Sequence, residues 1–214
     1  MTSSHLQGFF AGVGLTIVAT SGLLSLSGFQ GASLKIGSVD AAKAANDSIE
    51  AKRLDSELQK SVAARQGLLE FISTYPTISA ADATRFRELS LKPTPTAADT
   101  AEIERLRNAV IAEEKKSRDL QTKASPTAVD LSAIEGYRAR AVATRDLLGK
   151  WSQEFDAQLY GMRDKSRQDL VEKVRSVIAE VGKKGGYTVI YDSNAAPYSA
   201  NDISDEVKKA LDRR

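Results

Sequence analysis

Two short runs of strand composition stand near opposite ends of this chain, and almost everything between them reads as helix. The stronger run is Tyr187-Thr188-Val189-Ile190-Tyr191, β-branched or aromatic at every position. The other is Leu34-Lys35-Ile36-Gly37-Ser38-Val39-Asp40. A strand must satisfy its backbone N–H and C=O groups on a neighbour. Here the neighbour has to come from the far end of the chain, so the helical middle must travel out and return. The expected fold is α+β, mostly α: a small β body built from both chain ends, with a long antiparallel helical arm over residues 41–186.

The middle supports this reading. Ile49, Leu54, Leu58, Val62, Leu69 and Ile72 fall near one helical face, which predicts a helix over residues 41–73. Breaks are expected near residues 74–78, 92–96 and 124–127, where Pro76, Pro93, Pro95 and Pro126 stand. Ser79-Ala80-Ala81-Asp82 reads as a fresh N-cap, and Pro126 as a proline just inside a helix start. The last helix, from about Thr127 to Lys183, carries Leu148, Trp151, Phe155, Leu159 and Met162 at spacings of three and four, continued by Leu170, Val174, Val177, Ile178 and Val181. Gly182, Gly185 and Gly186 supply its end. Such narrow apolar stripes need a partner helix, so residues 41–73 and 150–183 are expected side by side and antiparallel. No sequence repeat is expected beyond this periodicity.

Residues 187–214 complete the body. After Tyr187-Thr188-Val189-Ile190-Tyr191 comes a turn at Asp192-Ser193-Asn194, then a weaker strand over residues 196–200, with Pro197 confining it to an edge or a start. Ser204 reads as the N-cap of a closing helix over residues 205–213. Three short strands bury too little surface to stand alone, and their edges are open to pairing. A homo-oligomer that closes a shared core is therefore expected, with Ile36, Val39, Tyr187, Val189, Ile190 and Tyr198 as candidate oligomerisation residues.

Several function classes drop out on composition. The chain has no cysteine, and its single histidine, His5, precedes both strands. Thiolate chemistry and a Ser-His or Cys-His pair are thereby excluded from the body. No phosphate-cradling glycine motif is present, so no cofactor is expected, and an all-oxygen zinc site would be unusual. Adjacent Glu113 and Glu114 read as solvated charge, and no enzymatic activity is expected. The net charge of +2 is interleaved along the chain, without the basic stripe that nucleic-acid binding needs.

Residues 9–29 are uncharged and apolar, long enough to span a bilayer. Small residues at Gly31, Ala32 and Ser33 offer a cleavage site before Leu34. Residues 1–33 therefore read as a cleaved export signal or an uncleaved membrane anchor. Either places the body outside the cytoplasm, possible membrane association running through residues 9–29.

The two ends, taken in order, resemble the OmpH/Skp family of periplasmic chaperones. The resemblance rests on Lys35-Ile36-Gly37-Ser38-Val39-Asp40 at one end. At the other it rests on Gly186-Tyr187-Thr188-Val189-Ile190-Tyr191-Asp192 and Asp202-Ile203-Ser204-Asp205-Glu206-Val207. It implies a trimer with a β-rich body and helical arms around a cavity that holds unfolded outer-membrane proteins without ATP. The chain departs from the family in its extra proline breaks, its mild charge and Pro197. Candidate client-binding residues are Phe71, Tyr75, Phe86 and Tyr137, beside Arg85, Arg87, Arg138 and Arg140; the same side chains also suit packing of the distal arm. The alternative is a membrane-anchored coiled-coil protein that spaces or tethers parts of the envelope.

Overall fold

The computed structural model describes residues 34–195 and 198–213. The expectations for residues 9–29, for a processing site at Gly31, Ala32 and Ser33, and for Pro197 lie outside the described residues. The elements run β1 (Ile36–Val39), α1 (Ala41–Asn46), α2 (Ile49–Thr74), α3 (Ala80–Ser90), α4 (Ala97–Gln121), α5 (Ala128–Gly185), β2 (Val189–Asp192) and α6 (Ser204–Leu211). The fold is mostly α with a small sheet, as expected. The described residues form two units, one from residues up to 57 together with those from 163 onward, the other from residues 58–162.

In the first unit the two chain ends pair. β1 and β2 are parallel, with Ile36 beside Val189, Gly37 beside Ile190, Ser38 beside Tyr191 and Val39 beside Asp192. Parallel strands require a crossover, which the helices supply. Val39, Ala44, Ala45, Leu170, Val174, Val177, Ile178, Ile203, Val207 and Leu211 are buried together beneath the sheet. Each fully buried Val, Leu or Ile contributes about 1.5–3 kcal/mol. Lys173 meets Glu50 across the α2–α5 pairing at 3.0 Å.

Three expectations for this unit need correction. The helix over residues 41–73 is broken at Asp47 and Ser48. The Ser48 hydroxyl donates to Ala45 O at 2.6 Å and accepts from Ala51 N–H, starting α2 afresh. The weaker strand over residues 196–200 does not form among the described residues: Tyr198, Ser199 and Ala200 lie outside any strand. Asn201 N–H instead donates to Ser199 Oγ, turning the chain, and a single bridge joins Ser38 to Asp202 on the free side of β1. Finally, Ser204 does not cap its own helix. Its hydroxyl accepts from Asp40 N–H at 2.8 Å, while Asp202 accepts from the Ser204 N–H.

The junction of α5 with β2 is tightly built. Tyr187 N–H donates to Gly182 O and Gly186 N–H to Lys183 O, with Gly186 at φ +67°. This is a Schellman end, and its left-handed residue favours glycine. The turn lays the Tyr187 ring into a slot between two more glycines. A Cβ on Gly185 would lie 2.5 Å from that ring, and one on Gly37 would lie 2.9 Å from it. Lys35 closes the slot, with Nζ 4.2 Å from the ring centroid and donating to Gly185 O at 2.7 Å.

The second unit packs Leu68, Ile72, Ile78, Ala83, Phe86, Leu89, Leu106, Val110, Trp151 and Phe155 into one core. α2 and α5 run antiparallel here too, Arg65 donating to Gln158 Oε1 at 3.0 Å. Here the chain does contain a repeat, against expectation. Thr96 caps α4, and Thr127 precedes α5 with the same bonds. In both, the Thr N–H and hydroxyl donate to an Asp carboxylate three residues on, and that Asp N–H donates back to the Thr hydroxyl at 3.2 Å. Lys92 and Lys123 each reach their Asp at 2.6 Å. The sequence Lys92-x-x-Pro95-Thr96-Ala97-x-Asp99 recurs as Lys123-x-x-Pro126-Thr127-Ala128-x-Asp130, flanked by matching Arg87/Arg118, Leu89/Leu120, Ile103/Ile134, Glu104/Glu135 and Arg107/Arg138. Pro126 therefore precedes the cap rather than lying inside the helix. Ser79 caps α3 as expected, accepting from Asp82 N–H at 3.1 Å.

Candidate functional site

Two surfaces in the described residues expose groups that the fold itself leaves unused. The first is the outer face of the sheet. Side chains alternate along a strand, so Gly37, Val39 and Ile190 turn toward the core while Ile36, Val189 and Tyr191 share the other face. Ile36 is 44% exposed and Tyr191 40%. Tyr198 is 89% exposed. Of the residues expected to oligomerise, Ile36, Val189 and Tyr198 thus lie outside the core. Val39 is buried, Ile190 packs against the core and Tyr187 fills the glycine slot. Tyr191 was overlooked, although its place two residues after Val189 puts it on the same face.

The second surface belongs to the second unit and centres on aromatic rings. Phe71 and Tyr75, near the end of α2, are half-buried, their ring centroids 5.0 Å apart. Phe86 of α3 is only 2% exposed and lies 4.8 Å from Phe71. Tyr137 is 7% exposed, its hydroxyl donating to Glu113 Oε2 at 2.8 Å. Burial, and then the Glu113 carboxylate, push its phenol above the usual range. Phe71 and Tyr75 therefore offer accessible edges, whereas Phe86 and Tyr137 are interior to the unit.

Arginines lie over this aromatic core. Arg87 sits 5.0 Å from the Trp151 and Phe155 centroids and pairs with Glu154, whose carboxyl it holds below the usual range. Arg65 lies 5.5 Å from Phe155, with Nε buried and unpartnered. Burial, and then the nearby Arg87 charge, lower its guanidinium pKa. Arg107 stands 5.1 Å from Phe71 and 5.7 Å from Phe86. Of these arginines, sequence reading singled out Arg87 and missed Arg65 and Arg107, which only the packing of α2, α3 and α4 brings over rings.

Among the described residues no three acidic, histidine or cysteine side chains gather to hold a metal. No described helix is long and apolar enough to cross a membrane.

In the described residues, then, strands from near both ends of the chain close a small parallel sheet, and apolar and aromatic side chains stay exposed beside it and on the second unit. The family model described as "Outer membrane protein (OmpH-like)" matches residues 35–211, and the chain belongs to that family. No curated protein and no solved structure matches it.

Proposed function

We propose that this protein is an ATP-independent holdase of the periplasm, which binds unfolded outer-membrane proteins and works as a homotrimer. The observation that carries this reading is family membership across residues 35–211. The open apolar sheet face supports the oligomer, because an unpaired apolar face at a sheet edge gains most by joining a copy of itself. In this reading Ile36, Val189 and Tyr198 make the contacts between copies, while Val39, Tyr187 and Ile190 shape that surface from behind. Phe71 and Tyr75 meet the client, and Phe86 and Tyr137 hold them in place. Residues 34–40 and 187–214 form the assembly body, and the helices between them form the working arm.

The decisive assay is suppression of aggregation of an unfolded β-barrel protein, without ATP, at roughly stoichiometric amounts. Unchanged aggregation sinks the holdase. Light scattering tests the assembly separately: the expected mass is that of three chains, and a clean monomer overturns it. The apolar run at residues 9–29 favours a second reading, a membrane-anchored envelope tether. Mass spectrometry separates the two: an amino terminus near Leu34 marks a released chaperone, whereas an intact Met1 in the membrane fraction marks a tether.

A further inference from the structure

Among the described residues five cations lie over aromatic rings: Lys35, Arg65, Arg87, Arg107 and Arg140. Four are also held by oxygen atoms. Lys35 donates to Gly185 O, Arg65 to Ser61 and Gln158, Arg87 to Glu154, and Arg140 lies 3.9 Å from Glu113. Arg107 alone has rings beneath it and no ion pair or hydrogen bond among the described residues. Its guanidinium is positioned over the tilted Phe71–Phe86 pair with its N–H donors unclaimed by the protein.

We propose that Arg107 and these rings form a docking point for an extended polypeptide in which an acidic side chain neighbours a bulky apolar one. This rests on the holdase reading and names the client chemistry for that same surface. A guanidinium presents a planar fork that matches a carboxylate through two parallel N–H···O bonds. The rings fix the fork's plane and reduce its hydration, so less freedom is lost on binding. The apolar neighbour of the acid meets the accessible edges of Phe71 and Tyr75. Ile111, 42% exposed and one turn along α4 from Arg107, extends the apolar surface. Charge thus selects the acidic side chain, and the aromatic edges select its neighbour.

The repeat supplies an internal control. Arg138 occupies the place of Arg107 in the second copy and is exposed, but no ring contact lies beneath it among the described residues. The test uses the full chain and two labelled peptides, Gly-Ser-Phe-Glu-Phe-Gly-Ser and its Gln counterpart, with binding read by fluorescence anisotropy. The Glu peptide is expected to bind about tenfold more tightly, the scale of one charge-assisted pair. Arg107→Met, which keeps a cover over the rings, abolishes this preference; Arg107→Lys keeps only part of it, and Arg138→Met keeps all of it. Equal affinity for the two peptides, or a preference that survives Arg107→Met, overturns the proposal and leaves Arg107 as a cover for the rings. Trp151 fluorescence checks folding, and if Arg107→Met unfolds, Arg107→Lys decides, an undiminished preference overturning the proposal. Aggregation suppression is measured alongside. If wild type does not suppress aggregation, the holdase reading fails whatever the peptides do; suppression without a peptide preference sinks the docking point alone.

Discussion

The Tyr187 slot permits a prediction whose sign depends on a single ring. Replacing Gly185 by Ala places a methyl 2.5 Å and 2.7 Å from two carbons of the Tyr187 ring. Carbon atoms settle at roughly 3.5–4.0 Å, so the ring must retreat by about 1 Å. It has nowhere to go, because it already lies against the Gly37 backbone on its other side, with Lys35 over its face. Overpacking of this kind costs about 1–3 kcal/mol. Against it stands the ordinary gain of Ala over Gly in a helix, about 0.8–1 kcal/mol and smaller at a helix end. Gly185→Ala should therefore destabilise by about 1 kcal/mol in the wild-type background. In a Tyr187→Ala background the slot is empty, and the same substitution should stabilise by a few tenths to about 1 kcal/mol. The coupling between the two positions is then about 2 kcal/mol. Urea denaturation of all four variants measures it, followed by hydrogen exchange at Thr188 N–H, which donates to Lys35 O at 2.8 Å across the two chain ends. If Gly185→Ala has the same effect with and without the Tyr187 ring, the slot plays no part in closing the sheet.

Acid should weaken the fold in a defined window. The Arg53 hydrogen bonds, and then Lys173, bring the Glu50 carboxyl down to about 2, and Lys123 does the same for Asp130. A carboxyl whose folded pKa is depressed stabilises the fold above its unfolded pKa, and that contribution is lost as pH falls through the folded one. Tm is thus expected to hold steady above about pH 5 and to fall between about pH 4.5 and pH 2; a Tm that rises on acidification contradicts the ion-pair assignments. Thr96→Ala and Thr127→Ala should each cost about 1 kcal/mol, as loss of a helix cap does, and unequal losses in urea titrations would show that the two loops are not one device. Phe86→Ala should cost about 3–4 kcal/mol and shift Trp151 emission, because both side chains belong to one core; a loss under 1 kcal/mol would contradict the interior placement of a ring that is 2% exposed.

What the sequence conveyed well was what is decided locally. The Ser79 cap, the breaks around Pro93 and Pro95, and the glycine end of α5 are each set by residues within a few positions of one another. The strand composition of residues 187–191 likewise marked β2. The misplaced features are decided at long range. The interruption at Asp47 and Ser48 leaves Ile49 N–H in need of an acceptor, and Asp212 supplies it at 2.7 Å from the other end of the chain. Ser204 looked like a cap because Ser before Asp-Glu usually is one, but Asp40, across the unit, claims its hydroxyl. The weaker strand was judged by composition, whereas the Ser199–Asn201 turn leaves one bridge in place of a ladder. Phe71, Phe86 and Tyr137 were indistinguishable as candidate client residues, because periodicity places all three on helices and cannot say which of them a neighbouring helix will cover.

The repeated helix start separates what the second unit needs for folding from what it leaves free. Lys, Pro, Thr, Ala and Asp recur at fixed spacing in both loops, and those residues make or frame the cap bonds. Positions between and just after them differ. Ala98 and Thr100 in the first copy become Val129 and Leu131 in the second, and these two apolar side chains are 78% and 51% exposed. The first loop shows that the cap forms without large apolar groups there, so the cap itself does not require Val129 or Leu131. Exposed apolar groups that the cap does not use suit a contact surface. The same comparison applies to Arg107 and Arg138, where the arginine is kept and, among the described residues, only the first copy sets rings beneath it. The departures from a plain two-helix arm are therefore a locally specified scaffold. Its two copies differ at two sets of equivalent places: Arg107 lies on aromatic rings where Arg138 is bare, and Val129 and Leu131 stand exposed where the first copy has Ala98 and Thr100.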